Sequence, residues 1–257
     1  MTDFAETLKT WRRRKRMSQM ALADAANVSP RHLSYLETGK SSPSRPMVLR
    51  LTDALSVPPH LCNDWLVYAG FAPIYQRRTL DSEALAPFVA AAQRLLDRHH
   101  PYPGWALDAD WRLSLTNAAG SRLLAHLGLS EGDSLVDALI EEPTLGGRLI
   151  NWQEAAAHLV HRLRAEGRKR GHAVTSQQAE KLSIVAPDIP THPSDIAIPT
   201  VLEIDGREMV LTSVQASFNT AQDLTLSDLR IELFYPTDEP SEKALSKIVE
   251  DRIGDLT

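Results

Sequence analysis

Arg31 is the residue whose type and place promise most chemistry. Its planar guanidinium can bridge two acceptors at once, such as O6 and N7 of a guanine. It lies just after Ser29 and Pro30, a capping residue and a first-turn proline that together open a helix. Five consecutive basic residues, Arg12 to Arg16, add positive charge to the same part of the chain. His158 and His161 are one helical turn apart, a spacing that can hold a metal, but nothing beside them completes a ligand set, so they read as surface residues. His99 and His100 precede Pro101 at a helix end, where they can meet terminal carbonyls. Cys62 is the only cysteine, which excludes an internal disulfide and fits a reducing cytoplasm. The chain has no Walker loop, no G-x-G-x-x-G and no G-x-S-x-G, so nothing points to an enzyme or a cofactor.

The elements that must position Arg31 are legible in the first 72 residues. Phe4, Leu8 and Trp11 form one apolar stripe of a first helix. Ser18 caps a short second helix with Leu22 inward, and Asn27 takes the sharp turn that follows, where a left-handed conformation is needed. Ser29 caps a third helix with Leu33 and Leu36 inward, and Gly39 ends it. Ser44 caps a fourth through Val48, Leu51 and Leu55; Pro58 and Pro59 open a fifth that closes near Gly70. The outward positions of helix three are then Ser29, Pro30, Arg31, Ser34 and Tyr35, while Gln19 stands at the N-terminus of helix two, suited to a phosphate.

Charge divides along the chain. Residues 1–72 carry 10 Lys/Arg against 6 Asp/Glu, and residues 73–257 carry 18 against 27, within an overall net charge of −5. A basic small module joined to an acidic larger one implies a polyanion partner for the first part. A hydrophobic content of 43% excludes a disordered chain, and no apolar run is long enough to span a membrane. The N-terminus is charged throughout, so no signal peptide and a cytoplasmic location are expected.

Residues 73–84 read as a linker and residues 85–257 as a second domain. Leu85 to His99 carries Phe88, Ala92, Leu95 and Leu96 on one helical face. Trp105–Leu107 and Trp111–Leu115 alternate around Asp-Ala-Asp, a hairpin signal, and Asn117 caps the helix carrying Leu123, Leu124 and Leu127. Asn151 to Arg168 is amphipathic through Trp152, Ala156, Leu159 and Leu163. Strands follow at 200–204, 208–218 and 229–234, the first two joined at Asp205-Gly206. The fold class expected is α+β: an all-α five-helix domain, then an α/β sandwich.

The run MSQMALADAANVSPRHLSYLETGKSSPS, with its Ser-Gln opening, Ala23, Asn27 and the close Leu36-Glu37-x-Gly39, resembles the helix-turn-helix of the XRE family. With HPYP, ALDADW…N, NWQEAAAHLVHRLRAEG and TLSDLRIELFYPTDEP, the whole chain resembles the MmyB-like transcription regulators, whose second half is a PAS-like ligand-binding domain. The resemblance implies a double-stranded DNA operator as partner and a fatty-acid-like effector, and because one helix-turn-helix reads few base pairs a homodimer is expected. It also implies that Glu37 pairs with Arg12 rather than touching DNA. Trp105, Leu115, Leu124, Trp152 and Phe218 are the apolar residues expected to line a pocket, with Asn117, His158 or Arg162 as donor to a carboxylate head. Two alternatives stand beside this. The second domain is a ligand-free dimerisation module, or the protein is a repressor that cuts itself at Ala119-Gly120 with a Ser/Lys dyad. The helical character of residues 118–182 argues against the latter.

Overall fold

The computed structural model describes residues 4–170, 173–186, 198–218 and 223–250. The chain forms two compact units that divide between Arg77 and Arg78, with Asp223 and Leu224 belonging to the first.

The first unit is five helices: α1 (Phe4–Arg14), α2 (Gln19–Ala25), α3 (Pro30–Glu37), α4 (Arg45–Ala54) and α5 (Pro59–Tyr68). Their starts follow local chemistry. The Ser18 hydroxyl accepts from Ala21 N–H, and Ser29 accepts from His32 N–H, each satisfying an otherwise orphaned donor. Ser44 occupies the cap position of α4 without making that bond. Asn27 takes a left-handed φ of 52° between α2 and α3. Leu8, Leu22, Leu33, Leu36, Val48, Leu51 and Trp65 are wholly or almost wholly buried in one core. Trp11 and Trp65 meet edge to face there, with ring centres 6.4 Å apart at 76°.

The linker expected over 73–84 is corrected in its first residues. The Asn63 side chain on α5 accepts from Ile74 N–H and Tyr75 N–H, both at 3.0 Å, and donates to Tyr75 O at 2.7 Å. Phe71, Ile74 and Tyr75 pack against the first core. Polar composition concealed this, because the clamp comes from a side chain eleven residues upstream.

Among the described residues, the second unit is built on one antiparallel sheet of five strands: β1 (Gly104–Leu107), β2 (Leu113–Thr116), β3 (Thr200–Ile204), β4 (Arg207–Ser217) and β5 (Arg230–Pro236). Their order across the sheet is β2-β1-β5-β4-β3. Helix α6 (Ala86–Arg98) covers one face, where Ala92 and Leu96 meet Ala106, Ile231 and Leu233. Phe88 and Leu95 of α6 are exposed rather than inward. The other face carries Trp105, Leu107, Leu202, Ile204, Met209, Leu211 and Phe234 in the larger core. That core is completed by α7 (Ala118–His126), α8 (Leu135–Glu141), α9 (Trp152–Arg170), α10 (Ala173–Val185) and α12 (Glu239–Glu250). A short helix α11 (Leu224–Asp228) precedes β5. The mixed α+β class is as expected; α11 and α12 were not foreseen. A signal for α12 was present in Asp238, which caps Ser241 N–H at 2.8 Å, followed by Pro240 and the spacing of Ala244, Leu245, Ile248 and Val249.

Candidate nucleic-acid interface and polar cluster

Helix α3 is held from behind and open in front. Glu37, with a side chain 2% exposed, accepts from Arg12 Nε at 2.5 Å and Nη2 at 2.8 Å. It also accepts from Gln19 Nε2 at 2.7 Å, so one carboxylate joins α1, α2 and α3. Arg12 donates again to Met17 O at 2.9 Å. Burial pushes the Glu37 carboxyl up, but the hydrogen bonds from Arg12 and Gln19, with the charges of Arg12 and Lys9, outweigh it and hold the group below its ordinary range. The hydrogen bond to Glu37 raises Arg12 in turn. Arg12 is therefore committed internally, and Arg13, Arg14, Lys15 and Arg16 supply the exposed positive charge at the end of α1.

On the open side Ser29, Pro30, Arg31 and Tyr35 are exposed, and Ser34 is half-buried. Arg31 Nε donates to the Tyr35 hydroxyl at 3.1 Å, with the guanidinium carbon 5.5 Å from the Tyr35 ring centre. The terminal nitrogens of Arg31 stay available at the head of the helix. Gln19 keeps only one amide hydrogen beyond its bond to Glu37, so its side chain is half structural.

In the second unit the expected pocket residues separate. Trp105, Leu124 and Trp152 belong to the larger core, whereas Leu115 and Phe218 pack on the α6 side of the sheet. The five therefore do not line one pocket. For Leu115 the cause is a bulge: β1 and β2 pair Ala106 with Leu115 but Leu107 with Leu113, so Ser114 is extra and Leu115 flips to the opposite face. Trp111, read as a strand residue, sits instead in a turn at φ 62°, where Asp108 Oδ1 accepts from Asp110 N–H and Arg112 N–H. Asn117 is also corrected as a ligand donor. Its Oδ1 accepts from Gly104 and Gly120 N–H, and its Nδ2 donates to Leu96 O and Tyr102 O, which uses its full capacity. His158 and His161 are exposed on α9, and among the described residues no group of His, Cys, Asp and Glu could hold a metal. Partial desolvation by its neighbours lowers His158 first, and the charges of Arg162 and His161 lower it further.

Arg162 is already engaged. Its Nη1 donates to Glu232 Oε1 at 3.0 Å, its Nε lies 3.5 Å from Glu166, and its guanidinium carbon is 4.6 Å from the Trp111 ring centre. Arg230 bonds Glu166 and Asp108 O and lies 4.2 Å from the same ring centre. Gln215 donates to Glu232 Oε1 at 2.6 Å, and Gln178 donates to Asp110 O at 3.1 Å. An open groove lined by Arg112, Leu129, Asp137, Ala138, Leu145 and Arg148 lies on the same unit and includes none of the expected ligand residues.

Two families match the chain: a helix-turn-helix domain over residues 3–65, and the MmyB-like transcription regulator ligand binding domain over residues 89–248. The second match covers more than half of the sequence. The chain belongs to the MmyB-like transcription regulators. Compared with curated proteins, it finds no match. This MmyB-like regulator is accordingly a DNA-binding transcription regulator with a ligand-binding domain. Its described helices include none long and apolar enough to cross a membrane. Sequence reasoning missed Trp111, Glu166 and Glu232, which contact Arg162, and Arg230 and Gln178, which join the same cluster in the ligand-binding domain. Charged residues on an inward strand position, Arg230 and Glu232, were the available signal, since buried charge must be paired.

Proposed function

We propose that the protein binds a specific operator as a homodimer, reading bases through the head of α3, and that a small apolar or amphipathic ligand in the second domain adjusts that binding. Arg31 is the base reader, Gln19 a phosphate contact, and Ser29, Pro30, Ser34 and Tyr35 complete the surface. The observation that carries the reading is Arg31, exposed and steadied by Tyr35 on a helix fixed through Glu37. The sheet order β2-β1-β5-β4-β3, with helices α7 to α10 packed on one face, supports a PAS-like sensor. A fatty acid is the effector that the resemblance implies, and the cytoplasm the place of action.

The test has two arms. Arg31→Ala should weaken binding to the operator by about 1–3 kcal/mol and leave random DNA almost unaffected. Equal losses on both would make Arg31 a phosphate contact. Delipidated protein titrated with medium-chain fatty acids and their derivatives should rise in melting temperature, because a ligand that binds only the folded state stabilises it. A flat response across the panel would leave the second domain as a dimerisation module.

A further inference from the structure

Helix α6 covers only part of its face of the sheet. Ala92 and Leu96 point down onto Ala106, Ile231 and Leu233, and on one flank Gln93 donates to Thr116 O of β2 at 3.0 Å. The other flank carries Phe88, Ala91 and Leu95, whose spacing of three and four puts them on one side of the helix. That side looks toward β4: the Phe88 ring meets the ring of Phe218, just past the end of β4, edge to face at 6.3 Å. Phe88 and Leu95 are nonetheless 47% and 41% exposed, and Val214 of β4 is 53% exposed. Because Met209 and Leu211 enter the larger core, alternation puts Glu208, Val210, Thr212, Val214 and Ala216 on the α6 face. Val201 and Glu203 of β3 join them as the register partners of Val210 and Glu208. The second unit thus presents a helical ridge beside a strand shelf, with Phe88, Leu95 and Val214 as its exposed apolar centre. Charge divides the same way. Arg94 and Arg98 edge the ridge, and Glu203 and Glu208 edge the shelf; all four are exposed, and none has an ion-pair partner among the described residues. Asp97 lies on the far flank of α6, where it accepts from Gln93 at 2.9 Å.

We propose that this face joins two copies of the chain, α6 of each copy lying on the β4–β3 shelf of the other. This rests on the reading that the protein is a homodimer, and it names the surface that makes it one. Large apolar side chains left in water beside a bare stretch of sheet mark an interaction surface. A two-fold axis sets one patch against itself, so the patch must complement its own image. Here it does so in shape and in charge. The ridge of one copy fits the shelf of the other, the positive edge meets the negative edge, and the two-fold makes each match twice. An anionic lipid surface is a poor occupant, because Glu203 and Glu208 repel it. Within the dimer, Phe88, Leu95 and Val214 supply the desolvated centre that holds the copies together. The four rim charges set which way round the copies dock.

Sedimentation equilibrium of the full-length protein tests this, with thermal melting of each variant to show that it is folded. Leu95→Glu and Val214→Glu each place a charge in the apolar centre at a position already exposed in one copy. Each should weaken self-association by at least about tenfold. Reversing the ridge with Arg94→Glu and Arg98→Glu, or the shelf with Glu203→Lys and Glu208→Lys, should weaken it by about fivefold. All four reversals together should restore association to the wild-type level, a rescue that damage to the fold cannot produce. A wild-type dimer left intact by both Leu95→Glu and Val214→Glu overturns this surface and leaves the homodimer standing. So do four reversals whose losses add instead of cancelling. A wild-type monomer at every concentration, both free and on operator DNA, overturns the surface and the homodimer together, and leaves the face to a different protein.

Discussion

Arg12 and Glu37 lie 25 positions apart and meet through two hydrogen bonds, with side chains 12% and 2% exposed. Removing one member leaves the other nearly buried without its counter-charge. Arg12→Ala or Glu37→Ala should therefore destabilise the first domain by about 3–5 kcal/mol, and the double variant should cost less than the sum of the two. Additive losses in chemical denaturation would dismiss the coupling. The pH dependence has a definite sign. The Glu37 carboxyl is held below its ordinary range, so the stability it provides is fully present at neutral pH. That stability declines as pH falls through the ordinary carboxylate range toward the depressed folded value. Calorimetry of the wild type and Glu37→Gln should converge with acidification; a constant difference would contradict this. This contact was legible only through the resemblance, since nothing in periodicity joins residues so far apart. Ser18, Ser29 and Asn117 were legible as caps because capping is local, but the three further bonds of Asn117 depend on tertiary placement.

Helix α7 lies so close to β1 that Gly120 has no room for a side chain. A Cβ there would stand 2.6 Å from Gly104 O and 2.6 Å from Thr116 Oγ1, closer than real contacts allow. Gly120→Ala should cost about 1–3 kcal/mol through forced displacement of strand from helix, as overpacking does. Urea denaturation measures it, and an unchanged midpoint would show that the helix can shift freely. The same glycine, with Ala119, is buried within α7, a poor site for the self-cleavage considered from the dipeptide alone. Amphipathic helices and the Asp205-Gly206 hairpin were readable because their signals repeat within a few residues. The bulge that turns Leu115 to the other face was not, because one extra residue reverses the alternation without changing composition. The buried charges of the ligand-binding domain were missed for a related reason. Arg230 and Glu232 alternate with Ile231 and Leu233, and only burial on both faces shows that the polar pair is enclosed.

At the scale of the molecule, the DNA-binding domain carries a net positive charge and the remainder a net negative one. That polarity directs a polyanion to one domain and repels it from the other. A single α3 reaches few base pairs, so two copies should bind a palindrome with half-sites about 34 Å apart. Light scattering of the free and operator-bound protein checks this, and a single copy in both conditions would defeat it. The aromatic residues are also partitioned. Trp11 and Trp65 belong to the DNA-binding domain, whereas Trp105, Trp111 and Trp152 belong to the ligand-binding domain. The edge-to-face pair of Trp11 and Trp65 makes two chromophores close enough to couple their electronic transitions. The DNA-binding domain thus carries a chiroptical marker of its own, lost when α1 parts from α5. In the intact chain, that one optical signature reports whether the DNA-reading half is folded.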